Sequence, residues 1–176
     1  MCGMVYTFGK PARRKRIPMI RTLERDELAQ ALAVIHAGFA TAAEEFGLTK
    51  ENCPTNGAFM PMERLEKDWQ SGVFAAGSFE CGCMTGYVQV RALEDGVAEM
   101  EKLCVLPEFR HGGMDEELVR CAQNAAKEMG AKRLLIGIIE RNTRLKNWYA
   151  SLGFVHMGTK EFPFLPFTVG YMIKEI

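Results

Sequence analysis

The chain has 176 residues, 48% hydrophobic and 25% charged, which is enough for one well-cored domain and too few for two. Its 22 basic and 22 acidic residues cancel, so no global field draws it to nucleic acid or to an anionic lipid surface. No stretch reaches the length of a membrane span. Binding must therefore be local.

Residues 1–18 read as a basic N-terminal extension, with Arg13, Arg14, Lys15 and Arg16 between Pro11 and Pro18. A solvated tail is the simpler account, and a nuclear or nucleic-acid signal is the competing one. The apolar run of a secretory signal is missing. None of the six cysteines (Cys2, Cys53, Cys81, Cys83, Cys104, Cys121) shows a C-x-x-C spacing, which points to a reducing, cytoplasmic compartment. Cys81-Gly82-Cys83 reads as a hairpin turn. With His36, His111 and His156 distant in sequence, no metal site is expected.

From Glu24 onward, Leu28, Leu32, Ile35 and Phe39 recur at helical spacing and form one apolar stripe. A separate short helix is expected at 41–46, where Thr41 and Glu44 have capping-box spacing. The stretch "LTKENCPTNGAFM" (48–60) is a loop of turn formers, and Pro61 opens a helix in which Met62, Leu65 and Trp69 share a face. Strands follow at 73–79, 83–92 and 97–106, the last two joined by Asp95-Gly96, a strong hairpin signal. This half is an antiparallel meander.

After Pro107, Leu118, Ala122, Ala125 and Met129 line a helix that stops at Gly130. "RLLIGIIE" (133–140) has the near-continuous apolar character of a buried central strand. A helix starting at Asn142 buries Leu145, Trp148 and Leu152 and ends at Gly153. "FVHMG" and "FTVGYMIKE" close the sheet around the turn-rich "TKEFPFLP". The fold class is α/β: one domain with a mixed sheet, an antiparallel meander followed by β-α-β-α-β.

The signatures of a serine-hydrolase elbow, a P-loop and a dinucleotide-binding loop are all missing, which leaves the strand, loop and helix at 97–129 as the candidate chemical centre. "MEKLCVLPEFRHGGMDEELV" (100–119) resembles the acyl-CoA block of the GNAT superfamily of acetyl-CoA-dependent N-acetyltransferases, with Arg110 and Gly113 in register. "NTRLKNWYASLGF" is similar to the family's second block, with Asn142, Tyr149, Gly153 and Phe154 in register and Leu145 in place of Ala. The resemblance runs from about Met19 to the C-terminus and makes 19–176 a GNAT-like acetyltransferase domain.

The resemblance implies acetyl-CoA as cosubstrate and no metal. In this family the fourth strand splays from the fifth, so backbone groups of Leu103, Cys104 and Val105 would bind the pantetheine arm and polarise the thioester carbonyl. Backbone N–H groups of Arg110, His111, Gly112, Gly113, Met114 and Asp115 would take the pyrophosphate at the helix start, and Asn142 would assist. Glu99 falls where some members carry their base, with Glu101 turned to the same face, and Tyr149 resembles the general acid beside the CoA sulfur. A surface Glu and a core Tyr are the plainer accounts. Cys104 reads as core filler, since direct attack in a ternary complex needs no nucleophilic thiol.

Phe39, Phe46, the 52–59 loop and "FPFLPF" would build the acceptor pocket, with Glu44 and Glu45 attracting a primary amine of a small molecule or peptide. No nucleic-acid or membrane partner is implied, and a homodimer is left open. Asp115 stands where the family prefers Gly or Ala. Its carboxylate should weaken cofactor binding unless it points away, with Arg141, Arg144 or Lys146 offsetting its charge. The alternative function is a catalytically weak acyl-CoA-binding sensor or partner-binding module of the same fold.

Overall fold

The structure, a computed structural model, describes residues 19–176; the basic extension expected at 1–18 lies outside the described residues. A short edge strand β1 (Met19–Thr22) is followed by α1 (Leu28–Phe46) and α2 (Met62–Gln70). The meander is β2 (Phe74–Glu80), β3 (Cys83–Ala92) and β4 (Val97–Val105). Then come α3 (Met114–Glu128), β5 (Arg133–Ile139), α4 (Thr143–Ser151), β6 (Val155–Lys160) and β7 (Val169–Glu175). The seven strands form one sheet in the order β1-β2-β3-β4-β5-β7-β6. Every neighbouring pair is antiparallel except β4–β5.

Two cores flank this sheet. On one face α1 and α2 pack Leu28, Ala31, Ile35 and Leu65 against Phe79, Met84, Tyr87 and Cys104. On the other, α3 and α4 pack Leu118, Val119, Ala122 and Tyr149 against Val88, Val90, Met100 and Ile136. The alternation of Tyr87 with Val88 and Val90 is the period of two that a sheet covered on both faces requires.

The expected break before Thr41 does not occur: α1 runs unbroken to Phe46. Nothing between Ala37 and Ala43 interrupts a helix, and the Thr41 hydroxyl donates back to Gly38 O (3.3 Å) instead of capping a new one. The helix ends where Gly47 turns left-handed (φ 64°) and Leu48 N–H closes on Ala43 O at 2.8 Å. Met129 is not part of the buried stripe of α3; it sits at the helix end, exposed. In α4 Tyr149 is the fully buried residue, while Leu145, Trp148 and Leu152 are half-buried against the core. β5 is central, yet only Leu134, Ile136 and Ile138 are buried, because Gly137 opens onto a cavity.

The hairpins fall as expected. Asp95 and Gly96 both take positive φ (56° and 67°), as do Cys81 and Gly82 (52° and 82°), the geometry of tight two-residue turns.

Candidate active site

The cavity begins where the sheet divides. β4 and β5 share only three register pairs, Val97–Arg133, Ala98–Leu134 and Glu99–Leu135, and then separate. A bulge in β4 drives the separation. Tyr87 opposes Cys104 and Gln89 opposes Glu101, so Lys102 and Leu103 together face Val88, and Lys102 adopts a left-handed φ of 55°. The extra residue inverts the side-chain parity: Ala98 and Met100 face the α3 core before it, whereas Cys104 faces the α1 core after it. A groove of about 380 Å³ opens between the diverging strands.

Glu99 and Glu101 both line this groove, on one face as the period of two predicts. Their surroundings differ. Burial, then the nearby Glu101 charge, raises the Glu99 carboxyl above its ordinary value. Glu101 instead belongs to a polar network that joins α2 to β3 and β4. Asp68 binds Arg91 (2.8 Å) and Lys102 (3.0 Å) and accepts from Gln89 (3.2 Å). Gln89 donates to Glu101 as well, and its own carbonyl accepts the Tyr87 hydroxyl at 2.9 Å. Lys102 is thus held at the bulge by carboxylates on both sides.

Tyr149 is packed as a core residue and also borders the groove. Its ring is buried between Trp148 (4.7 Å between centroids) and Phe154 (5.3 Å), yet it also lines the groove. Burial, and secondarily the Asp115 charge, holds the phenol well above its ordinary pKa, so it stays protonated. Asn142 caps α4, its carbonyl oxygen accepting Leu145 N–H at 3.0 Å, and lines the groove beside Tyr149.

Leu103 lines the groove, while the Cys104 and Val105 side chains are buried. Burial pushes the Cys104 thiol up to about 12, and its Sγ lies against Val34 O, consistent with core filler. Arg110 turns its guanidinium inward: Nε donates to Val105 O (3.0 Å), and the two terminal nitrogens donate to Gly38 O (2.9 Å) and Thr41 Oγ1 (3.1 Å). It clamps the end of β4 to α1. His111 and Gly113 take positive φ (63° and 81°), and Met114 buries its side chain, the sulfur receiving the Thr85 hydroxyl. The first intrahelical bond of α3 is Glu117 N–H to Gly113 O, which leaves the earlier N–H groups directed out of the helix start.

The Asp115 carboxylate accepts its neighbour's Glu116 N–H at 3.1 Å. The cations expected to offset it are committed elsewhere: Arg141 to Phe46 O, Arg144 to Glu45, and Lys146 to Glu140. Glu45 is correspondingly tied up outside the groove, and neither Glu44 nor Phe46 lines it. Phe39, Thr55, Asn56, Leu165 and Phe167 do.

Residue-type patterns did not point to Arg64, Lys102 and Tyr171, which also line the groove. Arg64 lies two positions after the start of α2, and Lys102 looks like an ordinary strand lysine. The β4 bulge places Lys102, the pairing of β7 with β5 places Tyr171, and the packing of α2 on the sheet brings Arg64.

The sheet is mixed and parts after three β4–β5 pairs, which makes the chain a single-domain α/β fold with a divided sheet. The Acetyltransferase (GNAT) family pattern matches residues 42–154, so the chain belongs to this family. An uncharacterized N-acetyltransferase of Lactobacillus delbrueckii subsp. lactis is 26% identical over 150 residues, covering 78% of this chain and 83% of that protein. An amino-acid acetyltransferase of Ralstonia nicotianae is 30% identical over 116 residues, 64% of this chain but 24% of that protein's length. Among solved structures, the PaiA N-acetyltransferase of Thermoplasma acidophilum in complex with coenzyme A superposes with a TM-score of 0.71 at 18% identity, covering 92% of this chain and all (100%) of that one. The ribosomal-protein-S18-alanine N-acetyltransferase of Escherichia coli gives 0.72 at 15% identity, covering 91% and 94%.

Proposed function

We propose that the protein is an N-acetyltransferase that moves the acetyl group of acetyl-CoA to a primary amine by direct attack. The observation that carries this is the divided sheet: strand backbone beyond Glu99 that has no β5 partner, opening onto a groove with a raised carboxyl at one wall and a protonated phenol at another. Acetyl-CoA supplies the thioester. Its pantetheine amides match the hydrogen-bonding needs of an unpaired strand, and its pyrophosphate matches the free N–H groups at the start of α3. Leu103, Cys104 and Val105 would contribute backbone to the arm, and His111 to Asp115 would contribute backbone to the phosphates. Arg110 acts by holding that loop, since its guanidinium is engaged with Val105, Gly38 and Thr41.

The amine nitrogen attacks the thioester carbonyl while Glu99 takes its proton, directly or through a water. The carbon–sulfur bond then breaks and Tyr149 protonates the departing thiolate. A raised Glu99 is a better base for an ammonium than a carboxyl at its ordinary value. Among the described residues no helix is long and apolar enough to cross a membrane.

Release of CoA thiol from acetyl-CoA in the presence of a panel of amines tests the proposal. Amine-dependent turnover is expected. Saturable acetyl-CoA binding with no turnover on any amine would replace the enzyme with an acyl-CoA-binding module.

A further inference from the structure

Four charged residues line the groove: Arg64, Glu99, Glu101 and Lys102. Two of them are already neutralised. Glu101 and Lys102 lie 3.5 Å apart and share the network of Asp68, Arg91 and Gln89, in which two carboxylates meet two cations. What remains for a ligand is one carboxyl, Glu99, and one guanidinium, Arg64. Arg64 makes no ion pair and no side-chain hydrogen bond with any other described residue.

A second donor lines the same groove. Asn56 uses its carbonyl oxygen to accept Ala58 N–H at 2.9 Å, which fixes the amide orientation and leaves its NH₂ group without an acceptor among the described residues. Arg64 and the Asn56 NH₂ group therefore both have donors to offer to whatever enters. A planar guanidinium, with an amide NH₂ group lining the same groove, is suited to the oxygens of a carboxylate. Phe39, Leu165 and Phe167 line the same cavity and offer apolar surface to the rest of the acceptor.

We infer that the acceptor carries a carboxylate as well as its amine, the carboxylate bound by Arg64 and Asn56 and the amine directed to Glu99. This rests on the acetyltransferase function proposed above. A polyamine would bring a second cation toward the unpaired Arg64, and a peptide N-terminus would bring no carboxylate of its own. A small amino-acid-like acceptor satisfies both charges.

Initial rates of CoA-thiol release test it with three acceptor types: amino acids, the carboxamides of the same amino acids, and a diamine. For the wild-type protein kcat/KM is expected to favour the acid over its carboxamide by roughly tenfold or more, the usual scale for a charged hydrogen-bonded pair. Arg64→Gln should collapse that ratio toward one, chiefly through KM, whereas Arg64→Lys keeps part of it. Arg64→Glu should shift preference to the diamine. Arg64 is exposed, so none of these changes disturbs the core. A wild-type preference for carboxamide or diamine, or the same ratio in Arg64→Gln as in the wild type, overturns the carboxylate site and leaves the acetyltransferase intact. No acetylation of any amine overturns the acetyltransferase, and this inference with it.

Discussion

Replacing Tyr149 by Phe removes one oxygen and leaves the ring between Trp148 and Phe154, so packing and cofactor affinity should persist while the proton donor is lost. Turnover is expected to fall on the order of 10²–10⁴-fold at nearly constant acetyl-CoA affinity, read by steady-state kinetics beside calorimetry. Wild-type turnover would return Tyr149 to the core. Glu99 has a pH signature. Its carboxyl is raised by burial, so between the unfolded value near 4.5 and the higher folded value the native state holds the extra proton. Stability must then decrease as pH rises through that window, while activity increases as the base is freed. Glu99→Gln should flatten the stability change and lose the acid limb of the rate profile. A rate profile of unchanged shape, merely scaled down, would leave Glu99 without a proton to carry.

At the scale of elements, α1 and the start of α3 make the sharpest tests. In an ordinary helix interior Gly→Ala gains roughly 0.5–1 kcal/mol. At Gly38 a Cβ would lie 2.6 Å from Cys104 Cβ, and α1 is pinned there by Arg110, so overpacking wins and Gly38→Ala should cost about 1–3 kcal/mol. The melting temperature should drop by roughly 2–10 °C, and an unchanged value would mean that α1 slides freely on β4. At α3, Asp115 occupies one N–H of the first turn, and among the described residues its carboxylate makes no ion pair. Asp115→Ala should tighten acetyl-CoA binding, most at low salt, and equal or weaker binding at both salt concentrations would show that the carboxylate is no obstacle. Helices and hairpins were legible because periodicity and Asp95-Gly96 are local signals. β1 was not, since a four-residue edge strand takes its definition from Phe79 to Ala76 across the sheet. The bulge at Lys102 carries no glycine to announce it, and Asp68 reaches Lys102 only through the tertiary fold. The family resemblance pointed to Glu99 and Tyr149, which both line the groove, whereas Arg64 and the neutralised network became visible only in the cavity itself.

At the scale of the described molecule, the β1–β4 half and the β5–β7 half are joined within the sheet by three register pairs among the described residues, and beyond Glu99 the strands diverge around the groove. A ligand lying along the gap would therefore act as a substitute strand, tying β4 to β5 where the sheet does not. At 100 times its dissociation constant, acetyl-CoA should add about 2.7 kcal/mol to the native state, which for a chain of this length corresponds to a rise of roughly 5–10 °C in melting temperature. Stabilisation alone does not say where the ligand sits, because any native-state binder raises the melting point. Amide hydrogen exchange does. Amides of β4 after Glu99 and of β5 after Leu135 that face the gap exchange by local opening and should slow when acetyl-CoA binds. The edge amides of β1, remote from the gap, open by fraying and should keep their rates. Thermal stabilisation without slowing at the gap would place the ligand elsewhere and would remove the divided sheet as the basis of catalysis; slowing confined to β4, β5 and the start of α3 would locate the cofactor along the path that the unpaired backbone offers.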